Sequence, residues 1–494
     1  MAKQTIKNYT LYKLRFWLGY GFLAIATICV LVFAALYVPG GYTPAEQQSA
    51  LQSASLSFAR PESLLIVDLP YHALQKLSIS VFGLSSISVK LPSLLLGFAI
   101  VAGLILVLRR RFTQTASILA SGIIVVSAFF ISLATTGTPE IMLVFWPVAL
   151  LLVASFGVKN RTLQPFAIYA GSVIAALSLL TPFSAYILFA LLIASLLHPH
   201  TRYLFRKASR SAIMFGGFVI FAMLALIAYA SYRDLTFLTQ LLYHSSHFSL
   251  DILANLKLLG MQLIDVASTT TNQTGLLAPV FGLSTLSLAG LGVYHLLRGR
   301  HSALSYLTFT WLLVLLPVVT LNPTSLALLV VPVTLLVASG SGFLLNYWYK
   351  LFPRNPYARI FALIPVTILF ACIIVSGAVR YFYSFHYYAP LANSASNDIE
   401  LVVSKVDSMP KPSVLVSPSE LPFYKLYFDS HNLSNIPLST QTKDVLRDGG
   451  VHTNVIATRS SGIIASGLRP TEVVATSELH MESDRLYIYK KATK

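Results

Sequence analysis

The sequence predicts an α-helical protein that crosses the membrane about eleven times and carries a small α/β domain at its C-terminal end. Of its 494 residues, 55% are hydrophobic and only 11% are charged. A soluble domain is usually about 25% charged. Long apolar segments recur between residues 16 and 379, and charge becomes dense only in the last quarter of the chain. This composition excludes a soluble enzyme, a disordered chain and a fibrous protein.

Eleven segments are apolar enough to cross a bilayer, which requires about 20 such residues. They are residues 16–38, 91–108, 116–134, 141–158, 165–180, 183–197, 211–231, 276–297, 303–321, 325–347 and 360–379. Pro182 separates the fifth segment from the sixth, and both are short. The apolar part of the first segment is longer than the roughly 7–15 residues of a signal peptide core, so we expect a membrane span there.

The distribution of charge predicts the orientation of these spans. If the N-terminus is cytoplasmic, the inner segments contain 18 of the 35 Lys and Arg residues and none of the 18 Asp and Glu residues. This is the positive-inside pattern of membrane proteins. We therefore expect an integral plasma-membrane protein with its C-terminal domain outside the cytoplasm, although an endoplasmic-reticulum membrane would keep the same topology. The net charge of +17 follows from this topology, and we expect no nucleic-acid partner.

The predicted domain organisation has two parts. The first is a transmembrane domain over residues 1–384, with outer loops at 39–90 and 232–275. The second is an extracytoplasmic α/β domain over residues 385–494. Its pattern predicts helices over 397–408 and from about 440 to the glycine pair 449–450, a helix start with a capping box at 417–420, and strands at 413–416, 451–457, 473–476 and 486–489. It contains no phosphate-binding loop or nucleophile elbow, so we expect a structural or binding role.

Three short motifs carry a resemblance to a known group of enzymes. The first outer loop leads through Phe82-Gly83-Leu84-Ser85 into Lys90-Leu91-Pro92-Ser93, and a break at Leu179-Leu180-Thr181-Pro182 separates two middle spans. Together they resemble the GT-C superfamily of glycosyltransferases, which includes protein O-mannosyltransferases and lipid A aminoarabinose transferases. The resemblance covers residues 10–200, with Lys90 where the family has Arg.

This resemblance implies a GT-C-like fold and an activity. The expected reaction moves a sugar from a polyprenyl-phosphate donor to a cell-envelope acceptor, which can be a glycan, a lipid or a protein. Transfer would occur at the outer face of the membrane and invert the anomeric carbon, with a carboxylate as base. The expected partners are therefore the lipid-linked donor, the membrane lipid and the acceptor.

Three acids are candidate catalytic residues. The family has an acidic pair at the start of the first outer loop, and here it is Ala45-Glu46, so the resemblance makes Glu46 the base that accepts the proton of the acceptor hydroxyl. Asp68 can orient the acceptor or replace the missing carboxylate, but it can also cap the following helix. Glu140 matches a second acidic position of the family without the Arg that often follows, and it can also be an acid favoured by a helix dipole.

Cations and polar aromatic residues near these acids complete the candidate site. The cations that could bind the donor phosphate are Lys90, Lys76, Arg60 and Arg233, although Lys90 could also be a cation at the end of a span. The candidate acceptor-binding residues are Tyr42, Tyr71 and His72.

No residue cluster in the sequence predicts a complete set of metal ligands. His244 and His247 have helical spacing, but no carboxylate accompanies them at a recognisable interval. A divalent metal is compatible with the chemistry, because it would stabilise negative charge on the departing phosphate. Cys29 and Cys372 both lie in apolar segments and predict no disulfide framework.

Two other functions remain open on the sequence alone. The missing acid at Ala45 and the missing Arg after Glu140 are compatible with a catalytically silent GT-C-like scaffold. A transporter for lipid-linked saccharides would be expected to have internal repeats and polar residues at mid-bilayer, and neither is present in the sequence. An enzyme requires the three acids to converge on one outer cavity.

Overall fold

The computed structural model describes most of the chain. The described ranges are residues 10–38, 40–57, 59–159, 161–243, 250–264, 279–299, 301–323, 325–351, 356–387, 398–442, 446–447, 450–451, 454–461, 469–476 and 485–490. His244 and His247, and parts of the outer loop 232–275, lie outside them.

Within these ranges the chain forms nineteen α-helices. The first seven are α1 (Thr10–Tyr37), α2 (Pro44–Ser55), α3 (Leu69–Phe82), α4 (Ser86–Arg111), α5 (Gln114–Val125), α6 (Ala128–Thr135) and α7 (Met142–Lys159). The next six are α8 (Gln164–Ser178), α9 (Ser184–Leu197), α10 (Pro199–Lys207), α11 (Arg210–Arg233), α12 (Leu235–Tyr243) and α13 (Ile252–Ile264). The last six are α14 (Gly282–Arg298), α15 (Ala303–Leu321), α16 (Val330–Leu351), α17 (Pro356–Tyr387), α18 (Asp398–Val406) and α19 (Leu421–Ser430).

The apolar segments of the sequence all fall on these helices. By length and composition, seven helices in the described part of the chain could cross a membrane alone, and α5 with α6 adds an eighth as a pair bent by 66°. The remaining three predicted spans coincide with α8, α9 and α14, which have 15, 14 and 17 residues. The prediction of a polytopic helical membrane protein is thus confirmed.

The helical bundle is built on very close helix contacts. Gly292 of α14 and Gly340 of α16 face each other's backbones: a Cβ atom at Gly292 would lie 2.0 Å from the Leu336 carbonyl oxygen, and one at Gly340 would lie 1.9 Å from the Leu288 carbonyl oxygen. Small residues at such crossings let two backbones meet within the bilayer. α16 is buried along most of its length as a result.

Two short helices lie between the first and second long helices. α2 and α3 fill the loop between α1 and α4, with a short 3-10 turn (Pro61–Leu64) between them. Pro92 interrupts α4 near its start, which frees the carbonyl of Ser88, because proline has no N–H to donate. The Ser78 hydroxyl of α3 donates to that carbonyl at 2.6 Å. This hydrogen bond replaces the missing backbone donor and holds α3 against α4.

The C-terminal region contains a five-stranded sheet with the order β2-β1-β5-β7-β6. Its strands are β1 (Pro412–Leu415), β2 (Leu438–Ser439), β5 (Asn454–Ala457), β6 (Glu472–Ala475) and β7 (Arg485–Tyr489), and β3 (Leu446–Arg447) and β4 (Gly450–Val451) form a separate antiparallel pair. β1 pairs in parallel with β2 and β5, whereas β7 pairs antiparallel with β5 and β6. The predicted small α/β architecture is confirmed.

Two local predictions in this region are wrong. Of the segment predicted as a helix from about residue 440, the described residues 446–447 and 450–451 form the antiparallel strands β3 and β4 instead, in register at Leu446 with Val451. The capping box at Ser417 does not form either. The Ser417 carbonyl instead accepts hydrogen bonds from Glu420 and Leu421 in a turn, and the helix begins only at Leu421.

The C-terminal sheet packs on the first outer loop through one apolar cluster, here called the docking core. From the loop it contains Tyr42, Ala50, Leu84 and Val89, and from the C-terminal region it contains Ile399, Val402, Val406, Val414, Val416, Phe423, Tyr424, Tyr427, Phe428, Ile456, Leu486 and Ile488. The Tyr42 ring meets the Phe423 ring edge-on, with 5.0 Å between centroids. The two regions therefore share one core, although they are far apart in sequence.

Candidate active site

The N-terminus of α2 holds Glu46 in a fixed position. Thr43 caps this helix, and its hydroxyl accepts the Glu46 N–H, while the Glu46 carboxylate accepts the Thr43 N–H at 2.8 Å. The pair forms the reciprocal capping box that Thr and Glu make at this spacing. The second carboxylate oxygen of Glu46 accepts the backbone N–H of Gly137 at 2.7 Å. Glu46 is 1% exposed, and both of its oxygens are engaged.

Gln75 holds the other side of the same peptide segment. Its side-chain amide donates to the carbonyl of Gly137 at 3.1 Å and to the carbonyl of Val89 at 3.0 Å. Glu46 and Gln75 thus bind the N–H and the carbonyl of Gly137 from two different helices. The residues that follow are Thr138, Pro139 and Glu140, so this clamp positions the turn that carries Glu140.

The hydrogen bonds of Gln75 determine the tautomer of His72, and burial determines its charge. The Gln75 carbonyl oxygen accepts the hydroxyls of Ser49 and Ser53 at 2.8 and 2.6 Å. Since the Ser53 hydrogen is used there, the Ser53 oxygen accepts from Nδ1 of His72 at 2.9 Å. Burial lowers the pKa of His72 to about 4, so the ring is neutral, with its proton on Nδ1 and a lone pair on Nε2.

Asp68 has an unusual conformation and an unusual environment. Its backbone is left-handed, with φ of 58°, and its N–H donates to the Leu180 carbonyl at the break between α8 and α9, at 2.8 Å. The side chain is 8% exposed and does not cap α3. Its Oδ1 has no hydrogen-bond partner among the described residues. The alternative that Asp68 is simply a side-chain helix cap is therefore wrong.

The pKa of Asp68 is raised well above its usual value. Burial is the main cause, and the nearby carboxylate of Glu140 adds a like charge. A hydrogen bond from Thr181 acts in the opposite direction. The Thr181 hydroxyl also accepts the ring N–H of Trp146 at 2.9 Å, so its own hydrogen is free to point at Asp68.

Glu140 is exposed and has Asp68 as its neighbour. It lies in a 3-10 turn (Pro139–Ile141) directly before α7. Its side chain is exposed to solvent, and its carboxylate is close enough to Asp68 to raise the pKa of that group. The two acids therefore form one pair, with Asp68 buried and Glu140 at the surface.

Tyr71 connects the acids electrostatically. It is fully buried in α3, and its hydroxyl bonds to the Ser93 hydroxyl of α4 at 2.7 Å. Burial raises its pKa, and the carboxylates of Glu46 and Asp68 raise it further. A single tyrosine is thus within electrostatic reach of both acids. The three acids singled out in the sequence consequently lie in one region, around the turn at Gly137.

Lys90 is a buried cation without a counterion. It is 1% exposed in the first turns of α4, and its ammonium group has no hydrogen-bond partner among the described residues. An isolated buried charge of this kind is strongly unfavourable. The alternative of a cation that extends from a span end into water does not fit this burial.

The other predicted cations have different partners. The Lys76 ammonium donates to the carbonyls of Ala54 and Leu56, at the C-terminal end of α2, where a helix dipole favours a cation. Arg233 forms an exposed ion pair with Glu62 at 2.6 Å. Arg60 is exposed. The structure does not bring these three cations to Lys90 as one buried group.

The predicted acceptor-binding residues also separate. Tyr71 and His72 lie beside the acids, but Tyr42 is 1% exposed and packs in the docking core. No group of three or more His, Cys, Asp or Glu residues suited to a metal ion occurs in the described part of the chain.

Several residues of this site were not singled out in the sequence. Gln75, Ser49, Ser53 and Ser93 are ordinary polar residues on helices, and their roles depend on contacts between helices. Thr181 carried a signal, since it stands in the Leu179-Leu180-Thr181-Pro182 break, but nothing in the sequence places that break beside Asp68.

The fold and the site define a class. This is an integral membrane protein in which the short helices α2 and α3, the bent pair α5–α6 and the break between α8 and α9 meet around three acids and one buried lysine. That arrangement is the GT-C fold, and comparison with known proteins confirms it.

Two solved structures of ArnT from Cupriavidus metallidurans share the fold over nearly the whole chain. The one bound to undecaprenyl phosphate has a TM-score of 0.54 and 13% identity, over 95% of this chain and 98% of that one. The apo form has a TM-score of 0.55 and 13% identity, over 95% and 97%. The oligosaccharyltransferase of Archaeoglobus fulgidus, tethered with an acceptor peptide, has a TM-score of 0.50 and 12% identity, over 87% of this chain and 64% of that one.

The sequence comparison is more local. The family described as dolichyl-phosphate-mannose-protein mannosyltransferase matches residues 70–229. This range contains Tyr71, Lys90 and Glu140 but neither Glu46 nor Asp68. No curated protein matches the chain by sequence.

Proposed function

We propose that the chain is a glycosyltransferase that moves a sugar from a polyprenyl-phosphate donor to a cell-envelope acceptor. The observation that carries this proposal is the acid pair formed by buried Asp68 and its exposed neighbour Glu140. A carboxyl group with a raised pKa is a stronger base once it is ionised, and such groups concentrate at active sites.

Each group has a distinct task in the proposed reaction. Asp68 or Glu140 accepts the proton of the acceptor hydroxyl, and the hydroxyl oxygen attacks the anomeric carbon of the donor. The bond from that carbon to the phosphate oxygen breaks, so a single displacement inverts the anomeric centre. Lys90 stabilises the negative charge that the phosphate gains. Its burial without a counterion supports an anionic ligand.

Glu46 has a positioning role in this proposal. Its carboxylate already accepts three hydrogen bonds, from Thr43 N–H, Thr43 hydroxyl and Gly137 N–H. Both of its oxygens are therefore already engaged in structural hydrogen bonds. Through its hydrogen bond to the Gly137 N–H, Glu46 supports the turn that carries Glu140. Glu46 itself occupies the position where the family resemblance implies the base.

The solved relatives support the class of donor. The ArnT structure was solved with undecaprenyl phosphate bound, a lipid whose phosphate and chain match a membrane-embedded site with one buried cation. We propose a donor of the same chemical class. The acceptor, which can be a glycan, a lipid or a protein, would enter from the outer face of the membrane, where the positive-inside pattern places α2 and α3.

One observation favours a second candidate function. Ala45 replaces an acid of the family pair, and the remaining Glu46 is fully engaged in structural hydrogen bonds. A catalytically silent GT-C-like scaffold would have these features. In that case Asp68 and Glu140 would have no reacting partner.

The decisive experiment measures sugar release. The purified full chain in phosphatidylcholine nanodiscs is incubated with a panel of synthetic polyprenyl-phosphate sugars, and free and transferred sugar are quantified by mass spectrometry. We expect turnover of one donor class in the wild type. Asp68→Asn and Glu140→Gln should reduce it by about 100-fold or more.

Glu62→Gln is the matched control, because Glu62 is an exposed carboxylate of the same loop and should leave turnover unchanged. Lys90→Met should weaken donor binding. If the wild type binds the donors but turns over none of them, the scaffold function is the correct one. If Asp68→Asn and Glu140→Gln retain full turnover, the assignment of the acid pair is wrong.

Orientation has its own test. Single-cysteine variants at Arg60 and at Arg110, made in a background without Cys29 and Cys372, are labelled in intact cells with a membrane-impermeant maleimide. The proposed topology predicts labelling at position 60 and none at position 110.

A further inference from the structure

A short cationic helix joins two membrane helices on the side where the sequence predicts the cytoplasm. α10 lies between the end of α9 and the start of α11. It carries Arg202, Arg206 and Lys207, and Arg210 is the first residue of α11. All four side chains are exposed, and in the described part of the chain none of them forms an ion pair. The sequence has no Asp or Glu between residues 140 and 234, so this positive charge is uncompensated locally.

Helical spacing places the charges of α10 on one side. Arg202 and Arg206 are four residues apart, and so are Tyr203 and Lys207, so these four exposed side chains are neighbours on the helix surface. The Lys207 ammonium lies 4.7 Å from the centroid of the Tyr203 ring, within the range of a cation–π contact. Leu204, on the other side, is less exposed. We call the set of Arg202, Tyr203, Arg206 and Lys207 the basic face.

Hydrogen bonds hold α10 against the bundle. The Thr201 hydroxyl donates to the carbonyl of Ser195 in α9 at 2.5 Å. The side-chain amide of Gln164, the first residue of α8, donates to the Leu204 carbonyl at 3.3 Å. α10 is thus attached to the ends of two membrane helices, and its basic face has a fixed place at the edge of the bundle.

Apolar residues that face the lipid flank α10 on both sides. Leu196 and Leu197 are the last two residues of α9, and Met214 and Phe215 lie in the first two turns of α11; all four are exposed. Large apolar side chains exposed together on a protein surface mark contact with a membrane or a partner, and here they belong to membrane helices. α10 therefore lies where the hydrocarbon ends, at the level of the lipid headgroups.

We propose that the basic face of α10 binds anionic phospholipids of the adjacent leaflet, which is the cytoplasmic one in the proposed topology. That leaflet carries a negative surface potential, and clusters of Lys and Arg on an amphipathic helix beside a span bind it. Arginine binds phosphate oxygens through two N–H groups at once, and tyrosine favours the headgroup level. The inference goes beyond sugar transfer and does not depend on it, because it concerns the opposite side of the membrane.

The test is a lipid titration of the purified, delipidated full chain in neutral detergent, followed by native mass spectrometry. The probes are dioctanoyl phosphatidylglycerol and the zwitterionic dioctanoyl phosphatidylcholine, and we expect tighter binding of phosphatidylglycerol. Arg202→Gln with Arg206→Gln should weaken that binding by about 10-fold or more, since each cation near an anionic surface contributes about fivefold. Phosphatidylcholine binding should not change. Higher ionic strength should weaken phosphatidylglycerol binding more in the wild type than in this variant.

Two double variants separate the basic face from folding and from charge in general. Arg202→Lys with Arg206→Lys keeps both charges and should keep most of the affinity. Arg109→Gln with Arg111→Gln is the matched control, because it removes two exposed cations at the end of α4, on the same predicted side of the membrane. It should weaken phosphatidylglycerol binding much less than the change in α10 does.

Glycerol 3-phosphate serves as the headgroup without its chains, and we expect it to compete poorly with phosphatidylglycerol. Competition at equal concentration would show that the site binds a free phosphate and overturn the assignment to a lipid. Equal affinity for the two phospholipids, or wild-type affinity after Arg202→Gln with Arg206→Gln, would overturn the proposal. An equal loss after Arg109→Gln with Arg111→Gln would overturn the assignment to α10. None of these measurements involves sugar transfer, so they can fail or succeed independently of the proposed function.

Discussion

Asp68 combines two features that lower the stability of the folded chain, and selection for stability alone would remove both. A left-handed backbone at a residue other than glycine is strained, and a buried carboxylate with a free oxygen is poorly solvated. Such residues are retained where function requires them. We therefore predict that Asp68→Asn makes the protein more stable and abolishes the proposed activity.

The pH dependence of this gain follows from the direction of the pKa shift. The raised pKa means that the folded chain keeps the Asp68 proton at a pH where the unfolded chain, with a pKa of about 3.9, has lost it. Stability is therefore lost as pH rises from about 4 through the folded pKa. Asp68→Asn should raise Tm at pH 7.5 by a few degrees and leave it unchanged near pH 3.5. A lower Tm at pH 7.5 would contradict the argument.

Glu46→Gln tests whether Glu46 positions the site or reacts. Glutamine has one acceptor oxygen, so its NH2 group would face either the Thr43 N–H or the Gly137 N–H. Leaving a buried donor without an acceptor costs about 1–3 kcal/mol, and we expect a lower Tm and reduced turnover. If Glu46 only positions the site, the pH–rate profile of Glu46→Gln keeps the fall in rate at low pH that protonation of the base causes. Loss of that fall would identify Glu46 as the base. Glu62→Gln controls for the loss of one negative charge.

The sequence predicted part of this site at the residue scale. Glu46 and Glu140 were singled out by the family resemblance, and Asp68 was singled out as an acid of the same loop that could replace the missing carboxylate. The role of Gln75 could not be found in this way, since its four hydrogen bonds join α2, α4 and the Gly137 turn. Only the assembled fold shows that an ordinary glutamine connects them.

Gln75 matters at the scale of elements, because it links α3 to its neighbours. Gln75→Leu would remove the acceptor of two hydroxyls and the donor to two carbonyls in a buried site, and we expect a loss of about 2–4 kcal/mol in the free energy of unfolding. Hydrogen exchange should rise along α3 and at Gly137. Gln52→Leu is the control, because Gln52 is exposed on α2. Equal effects of the two variants would refute the role of Gln75.

The contact between α14 and α16 offers a sharper comparison. A methyl group at Gly292 would meet the α16 backbone, whereas one at Gly290 in the same helix has open space. Gly292→Ala should force the helices apart and lower Tm by many degrees. Gly290→Ala should raise stability slightly, by up to about 1 kcal/mol, because alanine favours a helix. The measurement is thermal unfolding of both variants in the same detergent, and similar Tm values would contradict this packing.

Helices and strands could be predicted from the sequence where a single strong pattern, such as a long apolar segment, determines them. Hydrophobic length predicted every helix that could cross a membrane by length and composition, because each must satisfy its own backbone in lipid. It did not predict the shorter apolar helix α13, which lies in the segment interpreted as an outer loop. The antiparallel strand pair at Leu446 and Val451 was interpreted as a helix, since strands of two residues leave little pattern in the sequence. The 66° bend between α5 and α6 was also not predicted, because Ser127 as a helix cap resembles any serine in a span.

At the scale of the whole molecule, the docking core connects the C-terminal sheet to the proposed site. Phe423 of α19 packs on Tyr42. Tyr42 lies two residues before the first residue of α2, the helix that carries Glu46. A change in the C-terminal region can thus reach the Gly137 turn through one helix. The sequence predicted a structural or binding role for this region, but the contact between residues 42 and 423 requires the folded chain.

We predict that Phe423→Ala loosens α2 as well as the sheet. Truncation of a buried phenylalanine costs about 3–5 kcal/mol, and the lost contacts belong to both regions. Hydrogen exchange followed by mass spectrometry should show faster exchange in α19, in α2 and at Gly137, with unchanged exchange in α14 and α16. Lys425→Ala is the control, since Lys425 is exposed on the same helix and should change none of them. Faster exchange in α19 with α2 unaffected would mean that the sheet rests on the loop without supporting it. Faster exchange in both would make the C-terminal region a determinant of the geometry of the acids.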